Sequence, residues 1–431
     1  MSKLTRRRFT QLAAATTASS AIGGGLGLVN ILPAWAASGR VVVIGGGFGG
    51  ATAAKYIRKA DPGIQVTLIE PKTQFVTCPY SNTVIGGLND IGFITHNYDA
   101  LKGKYGATVV HDTATAVDAA KKTVTTAGGK TFAYNKLVLS PGIDFKWGAV
   151  EGYSQAASQK IPHAWNGGPQ TMLLRKQLEA MPAGGTFIIA PPGNPFRCPP
   201  GPYERVSLVA NYFKAHKPGS KIIILDPKPK FSKQPLFMQG WDRLYKGMIQ
   251  WVSQKDGGGA TRVDVAGMTV HTEFDKFRGD VINFIPAQKA GKIAFLAGAT
   301  DKSGWCPINP RTFESTIHKD VYVIGDASIA SPLPKSGYSA NSEAKVAAAA
   351  IVAQLSGKQP GEPSLINTCY SLVAPDYGIS VAMVYGFANG KITKKKGSGG
   401  VGPKDANAEF LKKEAQFAEG WYTSISSDIW G

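Results

Sequence analysis

Residues 40–70 read RVVVIGGGFGGATAAKYIRKADPGIQVTLIE. The apolar run 41–44 has the character of a buried parallel strand, and a second such run closes the stretch at 66–69. An Ala-rich helical segment joins them, which makes a βαβ unit. At the first strand-to-helix turn Gly45, Gly47 and Gly50 form G-x-G-x-x-G. The first glycine permits the tight turn, the second lets backbone approach a pyrophosphate, and the third lets helix pack on strand. The helix N-terminus then faces the diphosphate. Glu70 ends the second strand twenty residues after Gly50, placed to accept hydrogen bonds from an adenosine ribose. Glycine-rich turns alone are common; the turn with both strands, the helix and the terminal carboxylate defines a dinucleotide site.

About 280 residues later a second fingerprint appears. Val321-Tyr322-Val323-Ile324-Gly325-Asp326 is a buried strand ending in Gly-Asp, with an Ala-rich helix predicted behind it at 342–355. In flavin sites such a glycine allows close approach and the aspartate, here Asp326, accepts hydrogen bonds from ribityl hydroxyls. A turn aspartate would be the plainer reading of this strand in isolation. The two motifs together point to FAD.

Between them the chain is β-rich, with strands expected near 108–111, 123–125 and 137–139. From residue 185 the βαβ pattern restarts, with strands at 186–190 and 221–225, a helix at 203–214 and Asp226 at the second strand's end. Its turn, PPGNPFRCPPGP from Pro191 to Pro202, carries six prolines where a pyrophosphate cradle needs N–H donors. This unit is expected to keep the fold without a nicotinamide site and to present Cys198 on a stiff loop. A helix near 241–252 follows. The tail holds Cys369, a strand at 379–385, a Lys/Gly/Ser linker at 391–402 and a final helix at about 406–424. Phe410, Phe417 and Trp421 fall on one side of that helix, a stripe expected to pack on the protein's own core.

The fold class is therefore α/β: two Rossmann-like dinucleotide-binding domains of the FAD/NAD(P)-binding flavoprotein type plus a C-terminal α+β domain. The FAD-binding domain is expected to be discontinuous, 37–155 with 291–357, around a second Rossmann-like domain at 156–290, and an interface domain takes 358–431. Residues 1–36 differ from all of this. Thr5-Arg6-Arg7-Arg8-Phe9 precedes a mildly apolar Ala/Gly-rich stretch ending in Ala34-Trp35-Ala36, the three regions of an export signal. Its paired arginines resemble a twin-arginine signal, and the reading is a periplasmic protein.

The chain has 431 residues, 43% of them hydrophobic and 18% charged, and carries a formal charge of +19, which falls to +15 without Lys3, Arg6, Arg7 and Arg8. A basic surface can steer an acidic partner. The basic residues are dispersed, which argues against nucleic acid. No later segment is apolar enough to span a bilayer. Four cysteines in an oxidising compartment could pair in three ways. None forms C-x-x-C-H, so no c-type haem is attached to this chain. Six scattered histidines give no support to a metal site.

From residue 40 onward the sequence resembles the flavoprotein subunit of flavocytochrome c sulfide dehydrogenase, in the disulfide reductase flavoprotein superfamily that includes sulfide:quinone oxidoreductases. The likeness lies in VVVIGGGFGGATAAKYI, FVTCPYSNTVIGG, IIAPPGNPFRCPPGPYERVS, GWCPINPRTFES, VIGDASIASPLPKSGYSAN and NTCYSLVAPDYGISVA, which contain all four cysteines. The resemblance implies that Cys78 carries FAD covalently and that Cys198 and Cys369 form a redox-active disulfide. It places Glu204 and Tyr338 near that disulfide and gives Cys306 no redox role. Hydrosulfide would attack the disulfide, and electrons would pass through FAD to a separate cytochrome c subunit bearing the haem, in a heterodimer. The alternatives are a sulfide:quinone oxidoreductase, a non-catalytic flavin-binding partner subunit, and an NADH-dependent disulfide reductase, which the proline turn disfavours.

Overall fold

The computed structural model describes residues 39–431; the expected export signal lies outside the described residues. The β-strands Gly39–Ile44 and Ile64–Ile69 pair in parallel, Val41 opposite Val66, with helix Phe48–Ala60 crossing between them. They belong to a five-stranded sheet in the order Val321–Val323, Lys136–Leu139, Gly39–Ile44, Ile64–Ile69, Thr108–Val110. The strand that leads to Gly325-Asp326 thus lies two places from the one that leads to the glycine turn. Both motifs open at the same edge of one sheet. At the turn a Cβ on Gly50 would come within 1.8 Å of the Gly45 carbonyl oxygen, so only glycine fits. Helix Phe48–Ala60 packs against helix Gly337–Leu355, and both bury small residues, Ala51 and Ala54 on the first and Ala344 and Ala347 on the second. The second helix begins earlier than its Ala-rich run because Ser336 caps it, accepting from Ser339 N–H.

The second Rossmann-like sheet is four-stranded and parallel, in the order Ile249–Val252, Lys221–Leu225, Thr186–Ala190, Val281–Phe284. The helix expected at 241–252 is a correction: helix Gln234–Leu244 starts earlier and stops at Leu244, within that span, and residues 249–252 form a strand of this sheet. Gly247, at φ +75°, turns the chain between the two.

The C-terminal part is an antiparallel sheet built on Leu365–Ala374 and Tyr377–Ala388, backed by helix Ala408–Trp430. The segment read as a linker at 391–402 instead contributes strands Lys391–Lys394 and Gly400–Val401. Asn389-Gly390 makes the hairpin, both residues at positive φ as a two-residue turn demands. The final helix corrects the expected stripe in part, for Trp421 does pack against the core. Its core face is Leu411, Ala415, Ala418, Tyr422, Ile425 and Ile429, while Phe410 and Phe417 are 39% and 55% exposed. Among the described residues no helix is long and apolar enough to cross a membrane.

Candidate functional site

A cavity of about 260 Å3 runs from the glycine turn to the Gly-Asp turn, lined by Gly45, Gly47, Glu70, Cys78, Arg197 and Asp326 among others. Gly50 sits behind the turn. Glu70 holds the turn itself: Oε2 accepts from Gly46 N–H at 2.8 Å and Oε1 from Lys72 N–H at 3.1 Å. Each carboxylate oxygen keeps a second lone pair for a ribose hydroxyl. Asp326 is half-buried, with Oδ1 fully enclosed and lacking any partner, and Oδ2 is 3.7 Å from Arg197 Nη1. Burial pushes its pKa up. A buried carboxylate oxygen left unpaired beside a glycine cradle fits a flavin dinucleotide, whose ribityl hydroxyls would satisfy it.

A second, smaller cavity of about 60 Å3 shares Cys78, Pro79, Arg197, Ser336 and Gly337 with the first, and adds Cys198, Glu204, Tyr338 and Cys369. All four residues expected to act in catalysis therefore meet there, with Cys78 common to both spaces. The expected Cys198–Cys369 disulfide is not formed in this structure: all four cysteines are free.

Local chemistry explains each placement. Cys198 takes a left-handed φ of +58°, its N–H donating to Lys335 O and its carbonyl accepting from Gly201 N–H, both at 2.8 Å. A Cβ on Gly201 would lie 2.9 Å from Cys198 Sγ and 2.8 Å from the Trp165 ring, so the helix Gly201–His216 must open with glycine there. Cys369 sits within strand Leu365–Ala374, and Asn367 Nδ2 donates to its sulfur at 3.3 Å. Glu204, in the first turn of its helix, accepts from Leu372 N–H at 2.9 Å and from Asn82 Nδ2 at 2.7 Å. Asn82 is in turn held by the buried Arg205. Burial raises Glu204 and pushes the Cys198 thiol well up; it also raises Cys369, against the opposing pull of Lys233. Cys306 is fully buried, its thiol pushed up to about 12 by burial, in keeping with a structural role.

Several residues that matter here carry no local signal. Lys335, Glu343, Asn367 and Lys233 reach the site only through tertiary packing. Glu343 Oε2 accepts from Gly325 N–H at 2.6 Å, and Lys335 Nζ donates to the carbonyls of Asp326 and Ser328 at 2.7 and 2.8 Å. In the second Rossmann-like unit Asp226, which could have served a nicotinamide ribose, is fully buried and occupied by Tyr203 Oη, Trp251 Nε1 and Lys228. Tyr203 stacks on Phe231 at 3.7 Å beneath it.

The two parallel-sheet units and the flavin-shaped groove define a flavoprotein oxidoreductase, and residues 39–163 match the pyridine nucleotide-disulphide oxidoreductase family. More narrowly, residues 171–286 match the central domain of the sulfide dehydrogenase [flavocytochrome c] flavoprotein chain, and residues 361–430 match the flavocytochrome c sulphide dehydrogenase flavin-binding domain. The flavoprotein chain of Chlorobaculum thiosulfatiphilum is 76% identical over 45 residues, 10% of this chain and 94% of that sequence. The chain belongs to this family of sulfide-oxidising flavoproteins. The mitochondrial sulfide:quinone oxidoreductase of Dictyostelium discoideum is 22% identical over 313 residues, 67% of this chain and 65% of that protein. The solved sulfide:quinone oxidoreductase of Aquifex aeolicus superposes with a TM-score of 0.70 at 17% identity, over 91% of this chain and 92% of that one, a likeness of fold.

Proposed function

We propose that this chain is the flavoprotein subunit of a periplasmic sulfide dehydrogenase, exported by the twin-arginine route, and that Cys198 and Cys369 are its redox pair. The observation that supports the reading is the meeting of Cys198, on the proline loop, and Cys369, on strand Leu365–Ala374, in a cavity that shares Cys78 with the dinucleotide groove. In the oxidised form hydrosulfide attacks one sulfur of the Cys198–Cys369 bond. A new S–S bond forms as a persulfide, the old one breaks, and the pair of electrons leaves on the other cysteine as thiolate. Glu204, held by Asn82 and Leu372 and biased by burial toward its protonated form, takes up the hydrosulfide proton. Re-forming the Cys198–Cys369 bond releases zero-valent sulfur and two electrons, and Glu204 then gives up the proton. Held by the glycine turn, Glu70 and Asp326 and attached through Cys78, FAD would supply the acceptor for those two electrons, with a haem-bearing cytochrome c subunit as the onward partner.

The test is sulfide-dependent bleaching of the flavin absorbance under anaerobic conditions. Cys198→Ser abolishes it if disulfide opening precedes electron transfer. Unchanged bleaching in that variant would overturn the disulfide chemistry and favour a non-catalytic flavin subunit. Reduction of cytochrome c but not of a quinone analogue separates the reading from a sulfide:quinone oxidoreductase.

A further inference from the structure

Lys233 is a buried ammonium group, 6% exposed, at the left-handed start of helix Gln234–Leu244. Its Nζ donates to Cys369 O at 2.9 Å, Ser371 Oγ at 2.8 Å and Ile379 O at 3.3 Å. These acceptors lie on the two neighbouring strands Leu365–Ala374 and Tyr377–Ala388, and all three are neutral. Among the described residues no carboxylate lies within ion-pairing distance of Nζ, although burying an unpaired charge is costly. A hydrogen-bonding lysine here could have been replaced at lower cost by a neutral donor.

The charge acts most strongly on Cys369. The groups that face Lys233 are Cys369 above it, Cys198 on the proline loop, Glu204 on helix Gly201–His216 and Glu414 on the final helix. Tyr385 approaches Cys369 from the next strand. Burial lowers Lys233 to about 8, and among its neighbours Cys369 is the strongest influence holding its proton on. Reciprocally, Lys233 opposes the burial of the Cys369 thiol more than any other group. Cys198 is served less well: Cys78, Glu204 and Cys369 all disfavour its thiolate, Arg197 and Arg205 oppose them, and Lys233 couples to it less strongly than to Cys369.

We propose that Lys233 is the positioning residue of the sulfur chamber, clamping the Cys369 strand with two hydrogen bonds and its neighbour with a third, and supplying the positive charge against which a Cys369 thiolate is held. This rests on the assignment of Cys369 to the redox pair. It deepens that assignment by naming the cation that makes the two cysteines unequal.

The experiment reads thiol titration directly. The flavin-loaded protein is reduced with a phosphine, alkylated with iodoacetamide across a pH series, digested, and the Cys198 and Cys369 peptides are quantified by mass spectrometry. In the wild type the Cys369 midpoint lies below that of Cys198; a midpoint at or above it overturns the proposal without any variant. Lys233→Gln keeps N–H donors and loses the charge. Its Cys369 midpoint rises by about one pH unit, a roughly ten-fold slower alkylation at neutral pH, whereas Lys233→Arg retains the wild-type midpoint. A purely structural lysine would lower thermal stability in the variants and leave the Cys369 midpoint where it was, which also overturns the proposal. Failure of the redox assignment is separately visible: Cys198→Ser would then still bleach with sulfide, while the titration difference would stand.

Discussion

The backbone N–H of Cys198 donates to the carbonyl of Lys335 at 2.8 Å. The same lysine sends Nζ to the carbonyls of Asp326 and Ser328 and lies 3.9 Å over the Trp305 ring. One residue therefore ties the sulfur-bearing loop of the second Rossmann-like unit to the Gly-Asp turn of the first. The position of Cys198 relative to the flavin groove depends on that tie. Lys335→Met removes both Nζ bonds and the cation–π contact, leaving two carbonyls short of a donor at about 1–3 kcal/mol each. The variant should melt several degrees lower, and sulfide-dependent bleaching should slow because the segment that accepts from Cys198 N–H is no longer pinned to the Gly-Asp turn. Unaltered melting would show that the bridge contributes nothing.

Cys78 lines both cavities with its thiol free, on the loop between strand Gln74–Val76 and helix Ser81–Ile85. A covalent flavin through this sulfur predicts that the denatured chain keeps the mass of FAD on the peptide containing Cys78. Cys78→Ser should release the flavin on denaturation while still binding it when folded, because the glycine turn, Glu70 and Asp326 remain. Flavin mass on another peptide would move the attachment elsewhere.

The sequence disclosed what is local. Gly45, Gly47 and Gly50 are legible because three residues of one turn do one job, and Asp326 because its strand precedes it directly. The Asn389-Gly390 hairpin was equally local, yet the lysine and glycine composition after it read as a linker. The helix expected at 241–252 failed at Gly247, where one positive-φ residue divides helix from strand. In the final helix, aromatic residues drew the eye to Phe410 and Phe417, whereas burial follows the smaller Ala415 and Ala418. Lys233 and Lys335 were beyond reach for a different reason: each acts across two or three elements whose proximity only the folded chain creates.

The second Rossmann-like unit should not bind a nicotinamide dinucleotide. Its turn lacks donors wherever proline stands, and Asp226 is spent on Tyr203, Trp251 and Lys228. Anaerobic titration with NADH should leave the flavin spectrum oxidised and the melting temperature unmoved. A shift in either would mean that the loop opens to admit the cofactor.

Glu343 gives a pH signature. It is 3% exposed beneath the Gly-Asp turn, and burial raises its pKa from 4.5 to about 8. A carboxyl whose folded pKa exceeds its unfolded value binds more protons folded than unfolded between those two values, so stability falls as pH rises through that window. The loss should accumulate from about pH 4.5 to pH 8 and then level off. Glu343→Gln keeps an oxygen to accept from Gly325 N–H and Ser328 Oγ but cannot ionise. Denaturant unfolding at pH 5 and pH 8 should therefore show a smaller difference in the variant than in the wild type, by more than about 1 kcal/mol. An equal difference in both proteins would mean that Glu343 is ionised in the fold, with Lys335 compensating its charge.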